Sequence, residues 1–206
     1  MSDPSDKLAL FDFDGTLYKY DSILSFCLFY YQKKPLRIWR IIMQVYAWVL
    51  WKSKRINTSI FKSKFICFIA RDSDQEVRRM ATQFWNKKDA FNEELMFALQ
   101  RCQAERLCVV VVSASPDLFI LPACEKLGIK HVVSTTLRIH EDGYTLGTNC
   151  RGSEKIIRLR ALFSTQRIVQ AYSDNTDDLP LLHAAEQGFL VKKGAIRSVP
   201  SAGDFH

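Results

Sequence analysis

Short apolar runs alternate with helical patterns along much of this chain. Residues 107–112 form an uninterrupted apolar run, which is typical of a parallel strand covered on both faces, and residues 8–13 are apolar except for Asp12. Residues 168–172 form a third run that is apolar except for Gln170, and helical patterns at 116–127 and 153–163 lie between the runs. This alternation predicts an α/β fold with a doubly wound parallel sheet.

The segment between the first two predicted strands is too long for a simple crossover connection. Its apolar positions recur with a helical period through most of residues 22–100. We therefore expect a helical cap, residues 19–100, inserted after the first strand. The catalytic core would then comprise residues 1–18 and 101–206.

One stretch of the predicted cap, residues 36–51, is almost entirely apolar and contains three tryptophans. Its polar members, Arg37, Arg40 and Gln44, fall on one narrow helical stripe. A helix of this length would measure roughly 24 Å, which is shorter than the ~30 Å hydrocarbon core of a bilayer. Two interpretations remain open: the side chains fill the interior of the cap, or the helix lies in a membrane interface.

Composition and charge narrow the range of partners. The chain is 48% hydrophobic and 25% charged, as globular proteins are, and its net charge is +7. Residues 19–88 hold 15 basic and 4 acidic side chains, and residues 33–64 hold nine basic and no acidic ones. Such a surface attracts a phosphorylated substrate or an anionic membrane. Nucleic acid is not expected, because large aliphatic runs interrupt the basic residues.

Cysteine spacing and the beginning of the chain indicate the compartment. The six cysteines show no CxxC spacing and lie mostly in apolar segments, which favours reduced thiols and does not imply zinc. The first residues lack a basic segment followed by an apolar one, so no secretory signal is expected. We expect a cytoplasmic protein without a spanning helix. Peripheral contact with the inner face of the membrane is compatible with this expectation and stays open.

Acidic residues follow two of the predicted strands. Asp12 and Asp14 come at the end of the first strand, where an i, i+2 spacing would place both carboxylates on one side. Asp174 and Asp178 follow the strand at 168–172. Carboxylates that meet at one sheet edge repel each other unless a cation lies between them, and oxygen ligands favour Mg²⁺. The alternative is that they are turn and N-cap residues, a reasonable explanation for Asp178 alone.

Ser113 and Lys155 add the features of an anion site. Ser113 directly follows the apolar run at 107–112, and a helix begins shortly after it. Lys155 lies near the start of another predicted helix. Each residue alone is also explained as an ordinary turn serine or an exposed lysine. Together with the carboxylates they form the set of groups that phosphoryl transfer needs.

These motifs resemble the four signature motifs of the haloacid dehalogenase (HAD) superfamily, in its order and spacing. They are DFDGTL at 12–17, Ser113, Lys155, and Ser173-Asp174 with Asp178. The resemblance implies that Asp12 is a nucleophile that forms an aspartyl-phosphate. It implies that Asp14 acts first as general acid and then as general base.

The resemblance also implies the phosphate and metal ligands. Thr16 and Ser113 would hydrogen-bond the phosphoryl oxygens, and Lys155 would offset their charge. Mg²⁺ would be bound by the Asp12 carboxylate, by the backbone carbonyl of Asp14 and by the Asp174 carboxylate. Asp178 would support the metal shell or Lys155.

Within the superfamily the chain is similar to subfamily IB, the phosphoserine-phosphatase-like branch with a helical cap. YSDNTDDLPLL at 172–182 is nearest to the branch that holds the C-type phosphatidylglycerophosphate phosphatase. Gly15, Asp21 and Asn175 depart from the phosphoserine phosphatase pattern, which usually has Ser, Glu and Gly there.

The expected function is therefore Mg²⁺-dependent hydrolysis of a phosphomonoester, with a phospholipid headgroup phosphate as the favoured substrate. The basic, aromatic cap is the feature that favours lipid. One alternative is a small soluble phosphomonoester such as phosphoserine. The other is a membrane-surface binding module with an inactive site, which would bind anionic vesicles without turnover.

Overall fold

A computed structural model describes residues 6–192 and 194–199 of the chain. The expected core ranges also include residues 1–5, 193 and 200–206, which lie outside the described residues. The expectation about a secretory signal falls partly on those first residues.

A parallel sheet forms the centre of the molecule. Its strands are β1 (Lys7–Phe11), β2 (Cys108–Pro116), β3 (His131–Thr135), β6 (Arg167–Ser173), β7 (Gln187–Lys192) and β8 (Ala195–Val199), and β4 (Leu137–His140) with β5 (Gly143–Leu146) forms a separate hairpin. Within the described residues the strand order is β3-β2-β1-β6-β7-β8. Neighbouring strands are parallel except for β8, which runs antiparallel to β7. The sequence did not predict β8.

Helices cover both faces of this sheet and fill the long segment after β1. They are α1 (Ser22–Lys33), α2 (Ile41–Lys52), α3 (Thr58–Phe65), α4 (Asp74–Lys87), α5 (Glu93–Ala104), α6 (Asp117–Lys126), α7 (Ser153–Leu162) and α8 (Leu179–His183). The prediction of a doubly wound α/β fold with helices inserted after the first strand is confirmed. Helix α5 runs through residue 100, so the expected boundary of the cap would cut a helix.

Alternation along β1 explains the two hydrophobic layers. Ala9 and Phe11 point toward the face that packs on the helices of the insertion and on α6. Leu8 and Leu10 point to the opposite face, which packs on α7 and α8. Because all four side chains are fully buried, the strand is covered on both faces, as its uninterrupted apolar run predicted.

The pattern predicted a single helix over the apolar stretch at 36–51, and this prediction is wrong. Residues Pro35–Arg40 form a 3₁₀ helix and α2 begins at Ile41. A 3₁₀ helix has three residues per turn, so Arg37 and Arg40 lie on the same side. Both guanidinium groups donate to the backbone carbonyl oxygen of Phe68, at 3.2 and 3.4 Å. These contacts give a physical reason for the tighter winding.

The tryptophans of this stretch do not fill the interior of the insertion. Trp39 and Trp48 are exposed, and Trp51 is half-buried against Phe61 with ring centroids 5.0 Å apart. The core-packing interpretation is therefore wrong for most of this stretch. In the part of the chain that the structure describes, no helix is long and apolar enough to cross a membrane.

All six cysteines lie among the described residues, and none of them forms a disulfide there. Cys27, Cys67, Cys102, Cys124 and Cys150 are buried, and Cys108 is half-buried. Their environment therefore agrees with the expectation of reduced, packed thiols.

Candidate active site

The loop that follows β1 brings the first two aspartates to the end of the sheet. Because β1 ends at Phe11, Asp12 and Asp14 lie beyond the strand, and strand alternation does not orient them as predicted. Gly15 turns the loop with φ of +71°, a conformation that favours glycine. A Cβ atom at Gly15 would lie 2.2 Å from Oδ2 of Asp174, so glycine also permits this close approach.

A cavity of about 360 Å³ lies where β1, β2 and β6 end. Its lining includes all four predicted carboxylates and the predicted lysine: Asp12, Asp14, Asp174, Asp178 and Lys155. Their convergence agrees with the rule that ligands bind at the carboxyl ends of parallel strands. A larger groove of about 1110 Å³ touches Gly15 and Asp174 from another side, but Asp12 and Asp14 do not line it.

A buried row of charges forms the floor of the cavity. Nζ of Lys155 lies 2.8 Å from Oδ1 of Asp12 and 2.6 Å from Oδ2 of Asp178. The Ser173 hydroxyl donates to the same Asp178 oxygen at 2.6 Å, and the Phe13 backbone N–H donates to Oδ1 of Asp12 at 2.8 Å. These contacts fix the Asp12 carboxylate at the point where β1 ends.

The pKa of Asp12 is raised although the Lys155 ammonium lies beside it. Burial raises the pKa of Asp12 and the Asp178 charge adds to the effect, against the opposing pull of Lys155. Burial alone would lower the pKa of Lys155, but Asp12 and Asp178 outweigh it and raise the value, so the side chain stays an ammonium.

The Asp14 carboxylate is positioned by its own hydrogen bonds, which differ from those of Asp12. The Ser22 backbone N–H donates to Oδ1 at 2.6 Å, and the Ser115 hydroxyl donates to Oδ2. Burial, with the negative charge of Asp21, raises the pKa of Asp14 to about 7. A carboxyl group with this pKa can both give and take a proton near neutral pH.

Thr16 does not line the cavity, in contrast to its predicted role as a phosphate ligand. It is fully buried, and its hydroxyl accepts from the Asp174 backbone N–H at 2.9 Å. The same hydroxyl lies 3.4 Å from Oδ1 of Asp174. The contacts therefore suit Thr16 to positioning Asp174. Although residue 174 is exposed as a whole, its carboxylate is partly desolvated, and this desolvation together with the Asp12 charge raises its pKa to about 6.

Ser113 is likewise fully buried and absent from the cavity lining. Its hydroxyl accepts from the Ser115 backbone N–H at 3.0 Å, and β2 continues to Pro116, beyond the predicted strand end. In this arrangement Ser115 and Ala114 line the cavity where the sequence predicted Ser113.

The chemistry of the carboxylates fits a divalent cation. Among the described residues, no three His, Cys, Asp or Glu side chains gather into a metal cluster. The expected donors are two carboxylates, Asp12 and Asp174, and the backbone carbonyl of Asp14, so three acidic side chains are not required. Burial, and to a smaller extent neighbouring carboxylates, raises the pKa of Asp12 and of Asp174, so a cation between them would stabilise their charged forms. Oδ1 of Asp178 is buried without a hydrogen-bond partner.

Sequence reasoning missed two cations that line the cavity, Lys62 and Arg151. Lys62 comes from α3, and its Nζ donates to the Ala114 carbonyl oxygen at 3.2 Å and to Oδ1 of Asn149 at 3.1 Å. Burial lowers its pKa, with Asp14 and Asp21 opposing the effect. Nothing in the sequence separates Lys62 from the other lysines of the basic stretch.

Comparison with known proteins agrees with this fold. The model of the haloacid dehalogenase-like hydrolases matches residues 9–183, and the chain belongs to that family. Among curated relatives, Protein CicA of Caulobacter vibrioides is 28% identical over 195 residues, which cover 91% of this chain and 87% of that protein.

Solved structures share the fold at low sequence identity. A protein of unknown function from Bordetella pertussis has a TM-score of 0.73 at 20% identity, covering 86% of each chain. A phosphoserine phosphatase, solved as an analogue of its phospho-aspartyl intermediate, has a TM-score of 0.54 at 18% identity, covering 87% of this chain and 83% of that one. Family and neighbours together support a phosphatase.

Proposed function

We propose that this chain is a Mg²⁺-dependent phosphatase that hydrolyses a phosphomonoester through an aspartyl-phosphate on Asp12. One observation carries the proposal: a buried Asp12 held by Lys155 at 2.8 Å shares its cavity with Asp14, whose pKa is about 7. A nucleophile and a proton-transfer group are thereby present together. The phosphoserine phosphatase with similar fold was solved as the corresponding aspartyl analogue.

In the first step an oxygen of Asp12 forms a bond to phosphorus while the bond from phosphorus to the substrate oxygen breaks. Asp14 gives its proton to that leaving oxygen, which departs as an alcohol. Its raised pKa keeps a sizeable part of the Asp14 population protonated at neutral pH. A halide leaving group would need no such proton, so the site favours phosphate esters over haloacids.

In the second step Asp14, now a carboxylate, takes a proton from a water molecule whose oxygen attacks phosphorus. The bond between phosphorus and Asp12 breaks, inorganic phosphate leaves and Asp14 is protonated again. Lys155 keeps Asp12 oriented throughout, and Asp178 keeps Lys155 in place at 2.6 Å. Mg²⁺ held by Asp12, Asp174 and the Asp14 carbonyl would neutralise charge on the phosphoryl oxygens.

For the substrate we propose a phosphomonoester on a phospholipid headgroup. The helical segment 19–100 would act as the cap that selects it, because α3 places Lys62 at the cavity and the exposed apolar helix α2 packs on α3. The similarity to subfamily IB and to its phosphatidylglycerophosphate phosphatase branch agrees with this choice. A soluble phosphomonoester such as phosphoserine is the second candidate, favoured by the fold of the phosphoserine phosphatase neighbour.

The variant Asp12→Asn tests the nucleophile. Hydrolysis of p-nitrophenyl phosphate should fall at least a thousandfold, because an amide cannot form the acyl phosphate. Asp142→Asn is the matched control, since Asp142 is exposed in the turn between β4 and β5 and does not line the cavity. Full activity of Asp12→Asn, or an equal loss in the control, would overturn the assignment and favour a binding module with an inactive site.

The two substrate classes are separated by kcat/KM in one assay of released phosphate. Detergent-solubilised phosphatidylglycerol phosphate and a lysolipid phosphate are compared with phosphoserine and other soluble phosphate esters. A preference for the lipids of at least tenfold supports the proposal. Equal or greater activity on a soluble ester contradicts it.

A further inference from the structure

Helix α2 buries a polar side chain and exposes apolar ones, which is the opposite of what is expected for a helix on a water-exposed surface. Gln44 is buried, where its amide donates to the Phe65 carbonyl oxygen at 2.7 Å and accepts from the Tyr31 hydroxyl at 3.0 Å. In contrast, the side chains of Ile42 and Tyr46 are 73% and 63% exposed. A surface helix normally buries its apolar stripe and exposes its polar one.

The exposed apolar surface extends along residues 36–49, and we call these exposed apolar side chains the outer face. Ten large side chains take part, and their exposed fractions range from 39% to 91%, with most near one half. With roughly 150 Å² or more per side chain, the outer face measures on the order of 800 Å². The largest apolar patch on a monomeric soluble protein is typically about 300–600 Å². A surface of this size needs an explanation by a partner.

The rim of the outer face is cationic. Lys33 lies before it, and Lys52, Lys54 and Arg55 lie after it, all of them exposed. They form no ion pair within the part of the chain that the structure describes. Residues 33–64 contain no acidic side chain that would neutralise them. The partner should therefore combine an apolar interior with an anionic surface.

We propose that the outer face docks on the headgroup boundary of an anionic phospholipid bilayer. Exposed tryptophan and tyrosine beside lysine and arginine suit that boundary, where rings meet the acyl chains and cations meet phosphate. A second copy of the chain is a poorer partner, because a two-fold contact would bring like charges of the two rims together. With 12 residues, α2 is roughly 18 Å long, so it lies along the surface.

The position of the outer face connects it with the proposed lipid substrate, and the inference rests on the proposed function in this one respect. Helix α3 lies between α2 and the cavity. On one side Phe61 stacks on Trp51 with centroids 5.0 Å apart, and on the other Lys62 reaches the Ala114 carbonyl oxygen. Docking would therefore hold the cavity about one helix diameter, roughly 10 Å, from the docked helix.

Flotation with vesicles tests the proposal. The full chain is mixed with vesicles of phosphatidylcholine alone or with roughly one-third phosphatidylglycerol. The wild type should bind the anionic vesicles, and less so at high salt. The variant Ile42→Ser/Tyr46→Ser/Trp48→Ser should lose at least tenfold in binding. Because these side chains are exposed, its circular dichroism should match that of the wild type.

Matched variants distinguish docking through the outer face from nonspecific apolar adsorption and from catalysis. Phe97→Ser/Leu162→Ser removes two apolar side chains that are equally exposed elsewhere, and should bind vesicles as the wild type does. The outer-face variant should retain hydrolysis of p-nitrophenyl phosphate. Asp12→Asn should bind vesicles normally and lack turnover. A failure of docking is thus distinguished from a failure of the proposed phosphatase function.

A second measurement does not depend on the variants. Brominated lipids in the anionic vesicles should quench the fluorescence of the wild type, because Trp39 and Trp48 would approach the acyl chains. Absence of both binding and quenching would overturn the proposal. Equal binding by the wild type and the outer-face variant would also overturn it. So would a dimer in light scattering that dissociates in the variant without any vesicle binding.

Discussion

The carboxylate of Asp72 joins the insertion's first helix to the segment that carries the outer face. Lys34 donates to Oδ1 at 2.7 Å, Arg37 donates to both oxygens, and the Tyr30 hydroxyl donates to Oδ2. The Asp72 side chain is only 7% exposed. The substitution Asp72→Asn keeps the shape but removes the charge that these three donors share.

The size of the effect follows from these contacts. A hydrogen bond to a charged group contributes about 1.5–3 kcal/mol, and the asparagine oxygen still accepts from one donor. Because Lys34 and Arg37 are partly exposed, we expect the free energy of unfolding to fall by about 2–3 kcal/mol at pH 7. For a chain of this size the melting temperature should drop by roughly 5–10 °C.

The stability difference between the wild type and Asp72→Asn should change with pH in one direction only. Burial by itself raises the pKa of Asp72, but hydrogen bonds from Lys34, Tyr30 and Arg37 outweigh it and hold the pKa below its ordinary value. The stabilisation is therefore complete above the unfolded pKa of about 3.9 and is lost as the pH falls through the folded value. The difference between wild type and Asp72→Asn should be constant near neutral pH and shrink in acid.

Urea unfolding at several pH values measures this difference. The matched control is Glu125→Gln, because Glu125 pairs with Arg78 at 2.6 Å but both side chains are more than half exposed. An exposed pair of this kind contributes about 0–1 kcal/mol. The reasoning is refuted if Asp72→Asn costs no more than the control. A penalty that persists undiminished in strong acid would refute it as well.

Two further predictions concern the cavity. Burial raises the pKa of Asp174 to about 6, so Mg²⁺ competes with a proton for this carboxylate. The increase in melting temperature that Mg²⁺ causes should therefore grow from pH 5 to pH 7 and then level off. Asp174→Asn should abolish this stabilisation, and a shift independent of pH would contradict the metal assignment. Lys62→Met should raise KM for phosphomonoesters several-fold, whereas the exposed neighbour variant Lys64→Met should not; equal KM values would exclude Lys62 from binding.

Local patterns determined much of the fold in advance. The apolar runs that predicted β1, β2 and β6 are buried on both faces, so their composition alone marks them as central parallel strands. Because such strands end at one edge of a sheet, the sequence also predicted that Asp12 and Asp174 would meet. Strand β8 escaped prediction, since its residues Ala195–Val199 are mostly half-buried or exposed and lack a comparable apolar run.

The roles of single side chains depended on contacts between distant segments. Ser113 and Thr16 occupy the expected motif positions, yet both hydroxyls are turned toward backbone groups, and Ser115 lines the cavity instead. Lys62 and Lys64 are equivalent in a local pattern, and only the packing of α3 directs the first into the cavity.

The chain's hydrophobic periodicity predicted that Arg37, Arg40 and Gln44 form one polar stripe, and they do lie on one side, although a 3₁₀ helix and α2 replace the single predicted helix. It could not determine whether that stripe faces water or protein, because the same pattern is satisfied by either rotation of the helix. Tertiary structure decided the question: the carbonyl oxygens of Phe65 and Phe68 need buried donors, and the stripe supplies them. The apolar side chains are turned outward as a consequence.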